Sequence, residues 1–257
     1  MSALATTLYE KVWGSKSTEP WLKNSGDRKI GEIWFAASRE FPLLVKLLFT
    51  SDRMSVQVHP DDTYARLHEN SSGKTEMWHV LRAEPDARVA LGLRGSVTKD
   101  RLREAARSGE IEELLNWIPA RNGDTFFVPA GTIHAIGAGL VVCEVQQLSD
   151  VTYRLYDYGR PRELHLDHGL NVATLEPWMP QSADCKYFRT EVLTVEGTVV
   201  LPGPLRNTLY VVLEGEGRIN GDAFQAGEAH EIPANSGPVS IEGLKVRLLK
   251  TSAPPLG

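Results

Sequence analysis

The stretch Gly123-Asp124-Thr125-Phe126-Phe127-Val128-Pro129-Ala130-Gly131-Thr132-Ile133-His134 decides the fold. Thr125 to Val128 reads as a short strand, and the proline and glycine that follow it read as a tight turn. His134 stands just beyond that turn, where it can face another strand. Working outward, Met54-Ser55-Val56-Gln57-Val58-His59 alternates in character and puts Ser55, Gln57 and His59 on one face of a strand that Pro60 ends. After Asn70-Ser71-Ser72-Gly73, a further strand carries Lys74, Glu76, Trp78 and Val80 on one face. Two imidazoles, a carboxylate and a carboxamide thus gather at the edges of short strands, and all four can bind a borderline divalent cation. The pattern reads as a metal site in a small β-barrel.

The rest of the chain fits that frame. Glu32-Ile33-Trp34-Phe35 and Leu43-Leu44-Val45-Lys46-Leu47-Leu48 are strand-like, as are Thr125 to Val128, Leu140 to Gln147 and Thr152 to Asp157. Lys46 interrupts an apolar run, so its ammonium must reach water or meet a site carboxylate such as Glu76. Asp61 to His68 reads as a short helix with an acidic first turn. Between Thr98 and Ile118 the period becomes helical, with Ser108 placed to cap a second helix. The segment Glu176-Pro177-Trp178-Met179-Pro180-Gln181 breaks periodicity, and several short strands follow it.

Composition bounds the function. The 257 residues carry a formal charge of −5, which argues against general nucleic-acid or acidic-membrane binding. An anionic substrate would have to be held by a few local cations. Two cysteines, with Cys143 in an apolar strand, argue against a disulfide scaffold and for a reducing compartment. The N-terminus makes a poor signal peptide and no apolar run reaches membrane-helix length, so a cytoplasmic protein is expected.

The spacing of Gly123, Pro129, Gly131 and His134 resembles the second motif of the cupin superfamily, and Gln57-Val58-His59 with Glu76 resembles an altered first motif. A narrower resemblance lies in Ser55 to Asp62, Gly73 to Trp78, Pro129 to Ile136 and Glu144 to Asp157. These segments closely resemble the type I mannose-6-phosphate isomerases, in their short bacterial branch. The resemblance covers roughly Gly31 to Asp157.

That resemblance implies a mainly β chain of two cupin-type, jelly-roll barrels. Residues 1–175 would form the catalytic zinc-binding domain, with a helical insertion at about 98–119. Residues 176–257 would form a degenerate cupin-like domain, in which Gly227 to Asn235 echoes the second motif without its histidine. Gln57, His59, Glu76 and His134 would bind one zinc ion. Arg154 matches the family's active-site arginine and Glu144 its acid/base candidate. Lys74 and Ser55 match its substrate-side polar groups, and either Glu144 or Lys74 could move protons. A base at Lys74 would need a lowered pKa, whereas Glu144 would be ionised already.

The implied activity is aldose–ketose isomerisation of mannose 6-phosphate and fructose 6-phosphate, in a monomer or weak homo-oligomer. The implied partner is a small-molecule sugar phosphate, with neither nucleic acid nor membrane. A sugar-phosphate-binding or regulatory cupin without turnover is the alternative. An iron oxygenase would call for more histidines in the first motif. His68, His79, His165, His168 and His230 are expected on the surface, in packing or behind the site.

Overall fold

The computed structural model describes residues 3–180 and 185–254. Antiparallel strands dominate it, in three sheets. The first sheet runs, edge to edge, β1 (Thr6–Ser15), β2 (Ile30–Phe35), β3 (Leu43–Thr50), β10 (Leu140–Gln147), β5 (Glu76–Ala83) and β8 (Thr125–Val128). The second runs β11 (Tyr153–Tyr156), β4 (Val56–Val58), β9 (His134–Ile136), β6 (Arg88–Leu93) and β7 (Leu115–Pro119). The third runs β15 (Asp222–Gln225), β14 (Glu216–Ile219), β17 (Val239–Ser252), β13 (Thr208–Glu214) and β16 (Ala229–Ile232), with β12 (Arg189–Leu201) paired along β17.

The period of two along β10 explains how these sheets stack. Val141, Cys143 and Val145 leave one face and join a core with Leu209, Val211 and Leu249 of the third sheet. Val142 leaves the other face and packs with Val89, Leu91 and Ile136 of the second. The first sheet therefore lies between the other two, and every residue of β10 is buried. Each such apolar side chain contributes about 1.5–3 kcal/mol by leaving water. Glu144 and Gln146 share the Val142 face, so these polar groups are enclosed between sheets rather than set on a solvent-facing edge.

Helices α1 (Asp62–Glu69), α2 (Lys99–Ser108), α3 (Ile111–Leu114) and α4 (Leu166–Val172) complete the described elements. Leu102, Ala105 and Ile111 pack with Val56, Val58 and Leu155 of the second sheet, on the side away from the first. Thr98 caps α2, its hydroxyl accepting from Arg101 N at 3.2 Å, and Gly109 ends it at φ +90°.

The helical insertion stops short of its expected end. Residues 115–119 form β7, where Val89 opposes Ile118 and Ala90 opposes Trp117. Ile111 and Leu115 satisfy a helical spacing, but Trp117 and Ile118 suit a strand and the edge of β6 supplies their backbone partners. Ser108 is not the N-cap of α3 either. Its hydroxyl accepts from Glu110 N at 3.3 Å, one step ahead of the helix, and Glu110 occupies the cap position. β1 and α4 were not anticipated from sequence. Among the described residues no helix is long and apolar enough to cross a membrane; Gln181 lies outside those residues.

Candidate metal centre and proton-transfer site

The site is assembled by a turn. Thr132 N donates to Pro129 O at 3.1 Å, and Gly131 sits at φ +86°, a conformation that glycine adopts without steric cost. A Cβ on Gly131 would lie 3.0 Å from Thr174 Oγ1 and from Val172 O. Gly131 N donates to His59 O at 2.8 Å, which fixes the end of β4 against the turn. On β9, His134 then lies opposite Gln57 of β4, and Gln57 lies opposite Arg154 of β11. Directly opposed residues share a face, so Arg154, Gln57 and His134 form one row on the second sheet.

The first sheet presents the matching row. Glu144 lies opposite Lys46 on one side and Trp78 on the other, while Gln146 lies opposite Glu76. Lys74 reaches this row because Gly73 lets its segment close on α1. A Cβ there would stand 2.6 Å from the Asp61 carbonyl carbon and Asp62 N, and Lys74 N donates to Pro60 O at 3.0 Å.

His59, Glu76 and His134 bring their ligating atoms within 4.8 Å of one another, all buried. Each histidine Nε2 lies 3.5 Å from a Glu76 carboxylate oxygen. His59 Nδ1 donates to Val151 O at 2.9 Å and His134 Nδ1 to Thr132 O at 2.8 Å. Those carbonyls require the proton on Nδ1, which leaves both Nε2 lone pairs facing Glu76. His134 Nε2 is buried without a hydrogen-bond partner among the described residues. Burial holds both imidazoles neutral: His134 is lowered to about 4, and His59 lies well below the ordinary histidine value, with the Lys74 charge adding to burial. Two neutral imidazoles and a carboxylate that converge with an orphaned nitrogen can serve as the donor set of a divalent metal. The chemistry of the residues fits zinc, and the Gln57 carboxamide stands in the same row as His134.

Charged groups surround that set. Lys74 Nζ lies 3.0 Å from His59 Nε2 and 3.0 Å from Glu76 Oε2. Burial alone would lower its pKa, but the charges of Glu76 and Glu144 outweigh it and hold Lys74 above the usual lysine value. The two carboxylates thus favour the ammonium form of Lys74. Glu144 moves in the opposite sense to the sequence expectation of a readily ionised acid. Burial first, then repulsion from Glu76, raise its pKa above the usual carboxylate value.

Lys46 does meet a site carboxylate, though not Glu76. Its Nζ lies 3.5 Å from Glu144 Oε2 and 4.4 Å from the Trp34 ring centroid. Trp78 is the group that residue-by-residue reading missed. Its buried indole N–H lies 3.1 Å from Glu76 Oε1 and 3.1 Å from Glu144 Oε1, linking the two carboxylates. The only signal for it in the sequence is its period-two spacing from Glu76.

Arg154 makes no ion pair among the described residues. Its Nη1 donates to Glu163 O at 2.8 Å and its Nε is buried without a partner. Asp157, three residues away, is paired with Arg160 at 3.1 Å and Arg162 at 2.5 Å. Burial and the Arg162 charge lower the Arg154 pKa, as expected of a cation lacking a counter-charge. Ser55 is buried just ahead of β4 and its hydroxyl has no hydrogen-bond partner among the described residues. Of the other histidines, His68 and His168 are exposed beside Tyr64, and His165 Nδ1 accepts from Arg154 N at 3.1 Å. His79 and His230 are buried away from the metal set.

A mannose-6-phosphate isomerase of Bacillus subtilis is 38% identical over 230 residues, which span 79% of this chain and 72% of that protein. One from Streptococcus mutans is 38% identical over 202 residues, or 71% of this chain and 64% of that protein. The crystal structure of the mannose 6-phosphate isomerase from Bacillus subtilis superposes with a TM-score of 0.88 at 28% identity, covering 97% of this chain and 98% of that one. A phosphomannose isomerase variant from Salmonella typhimurium, at 16% identity and a TM-score of 0.80, shares the fold. No family model matches the chain.

Proposed function

The chain belongs to the mannose-6-phosphate isomerase family, and from that premise we propose that it interconverts mannose 6-phosphate and fructose 6-phosphate through an enediol intermediate at a zinc site. Gln57, His59, Glu76 and His134 hold the ion in this reading. The orphaned His134 Nε2 and the two Nδ1-to-carbonyl bonds support that assignment. A zinc ion held there would supply Lewis acidity to offset negative charge on a substrate oxygen.

The chain's own groups do the rest. Isomerisation removes a proton from carbon 2 of the aldose and returns one to carbon 1, while a hydroxyl proton passes between the two oxygens. Neither electrons nor a co-reactant are consumed. Glu144 carries the carbon proton, because a buried carboxylate with raised basicity is better matched to that transfer than an ordinary one. Lys74 acts as a fixed cation and hydrogen-bond donor to the substrate oxygens, and with Ser55 it faces the sugar phosphate. Arg154, a guanidinium without a carboxylate partner, steadies the negative charge of the enediolate. Residues 1–175 carry this chemistry, and residues 176–257 form a cupin-like part that covers the first sheet.

The observation that carries the reading is the second buried carboxylate, Glu144, tied to the metal-set carboxylate by one indole N–H. A binding protein has no use for a proton carrier at that position. Glu144→Gln should fold, retain its metal and lose about 10²–10⁴-fold in kcat for mannose 6-phosphate in a coupled assay. Turnover within a factor of two of wild type would overturn the role of Glu144. A wild-type protein that binds the sugar phosphate without converting it would establish the non-catalytic alternative.

A further inference from the structure

Lys74 is a buried side chain on a loop, and the peptide N–H groups on either side of it trace to one carboxylate. Gly73 N donates to Asp62 Oδ1 at 3.0 Å. Thr75 N donates to the carboxamide oxygen of Gln147 at 2.9 Å, and the nitrogen of that carboxamide donates to the same Asp62 oxygen at 2.9 Å. Gln147 N also donates to Thr75 O at 3.1 Å, so the end of β10 holds Thr75 by both of its backbone groups. Helix capping does not account for Asp62. That task falls to Asp61, whose carboxylate accepts from Tyr64 N at 2.8 Å.

The other Asp62 oxygen is held from far along the chain. Tyr187, which lies just before β12, donates its hydroxyl to Asp62 Oδ2 at 2.9 Å. The next residue, Phe188, is buried in the core between the first and third sheets and meets Phe127 of β8 edge-on at 6.2 Å. That packing anchors the half-buried Tyr187 ring. Burial opposes the charge of Asp62, but the donors from Gln147, Gly73 and Tyr187 outweigh it and hold its pKa below the usual aspartate value. Three donors thus converge on an anion, where hydrogen bonds are strongest.

Resting on the reading of Lys74 as the cation that faces the sugar phosphate, we propose that Asp62 is its positioning residue. Tyr187 secures Asp62, so the C-terminal part of the chain takes a share in substrate binding rather than only covering the first sheet. A long ammonium side chain follows its backbone, and a displacement of about 1 Å at such a group is enough to cost much of its effect. Asp62 spends its oxygens on these donors, so it acts through the Lys74 backbone and touches no reacting atom.

The test is calorimetric titration of the zinc-loaded protein with glucitol 6-phosphate, a sugar phosphate without a carbonyl to isomerise. Asp62→Ala should raise its Kd about tenfold and Tyr187→Phe about threefold, with zinc content unchanged. For mannose 6-phosphate the same variants should raise KM while kcat moves by less than about threefold. Asp62→Asn keeps an oxygen for Gly73 and Gln147 and should bind within about twofold of wild type. In a Lys74→Ala background Asp62→Ala should add no further loss, because the group it positions is gone. If Asp62→Ala does not fold, Tyr187→Phe, which removes one hydroxyl, carries the same comparison with Lys74→Ala. An unchanged Kd in Tyr187→Phe, losses that add in the double variant, or a loss in Asp62→Asn equal to that in Asp62→Ala would each overturn the proposal. Wild type without affinity for glucitol 6-phosphate would overturn it together with the reading of Lys74. These affinity shifts in a protein that does not turn over mannose 6-phosphate would sink the isomerase activity alone and leave the positioning role standing.

Discussion

At the residue scale, the arrangement depends on one side chain holding two others. The Trp78 N–H is shared between Glu76 and Glu144, and its ring meets His134 edge-on at 5.5 Å. Two carboxylates this close repel, and a shared donor lowers that cost while fixing their separation. Trp78→Phe keeps most of the packing and removes the donor. Its affinity for zinc, read by chelator competition, should fall about tenfold, while the melting temperature changes little; an unchanged affinity would reduce Trp78 to packing. Much of this scale was legible in sequence. The Pro129 to His134 turn and the alternation through Gln57 and Glu76 mark those side chains by period and turn chemistry, whereas Glu144 was marked by the family resemblance. The partner of Lys46 was not legible, because pairing with Glu144 follows from the register of β3 on β10, which no local pattern specifies. Nor was the isolation of Arg154, which depends on Arg160 and Arg162 reaching Asp157 first.

At the element scale, the contact between β5 and β17 holds a titratable group. His79 Nδ1 lies 2.9 Å from Thr125 Oγ1, and its Nε2 accepts from Arg247 Nη2 at 3.3 Å, with Arg247 paired to Glu214 at 2.9 Å. The neutral ring is required, and burial together with the Arg247 charge lowers its pKa from 6.5 to about 4. The unfolded chain therefore takes up a proton at His79 as pH falls through 6.5, whereas the folded chain does so only near 4. Stability is full above 6.5 and declines between those values. The urea midpoint of metal-loaded protein should fall across that window, and His79→Gln should flatten the fall by up to one proton. Identical slopes for the two proteins would remove His79 from the account. Elements were legible where one period dominates, as in α2 and β10. They were misread where two periods fit, as at Leu115 to Pro119, because the deciding partner, the edge of β6, is distant in sequence.

At the scale of the whole molecule, one sheet with two buried faces does two jobs. Its Val141–Cys143–Val145 face joins the third sheet, and its Val142–Glu144–Gln146 face closes the site against the second. The mainly β architecture followed from turn and strand patterns and its cupin form from the family resemblance, but this stacking did not, since which face of a fully buried strand meets which sheet leaves no mark in its residues. His59, Glu76 and His134 come from both sheets of the first barrel, so the site exists only when the sheets are closed. The central claim is that this closure forms a metal-dependent isomerase. The direct measurement is the initial rate of fructose 6-phosphate formation from mannose 6-phosphate by protein stripped with a chelator and then titrated with zinc. The account predicts a rate that vanishes on stripping and returns at about one zinc per chain. Full turnover by the stripped protein, or none by the reloaded one, would contradict it.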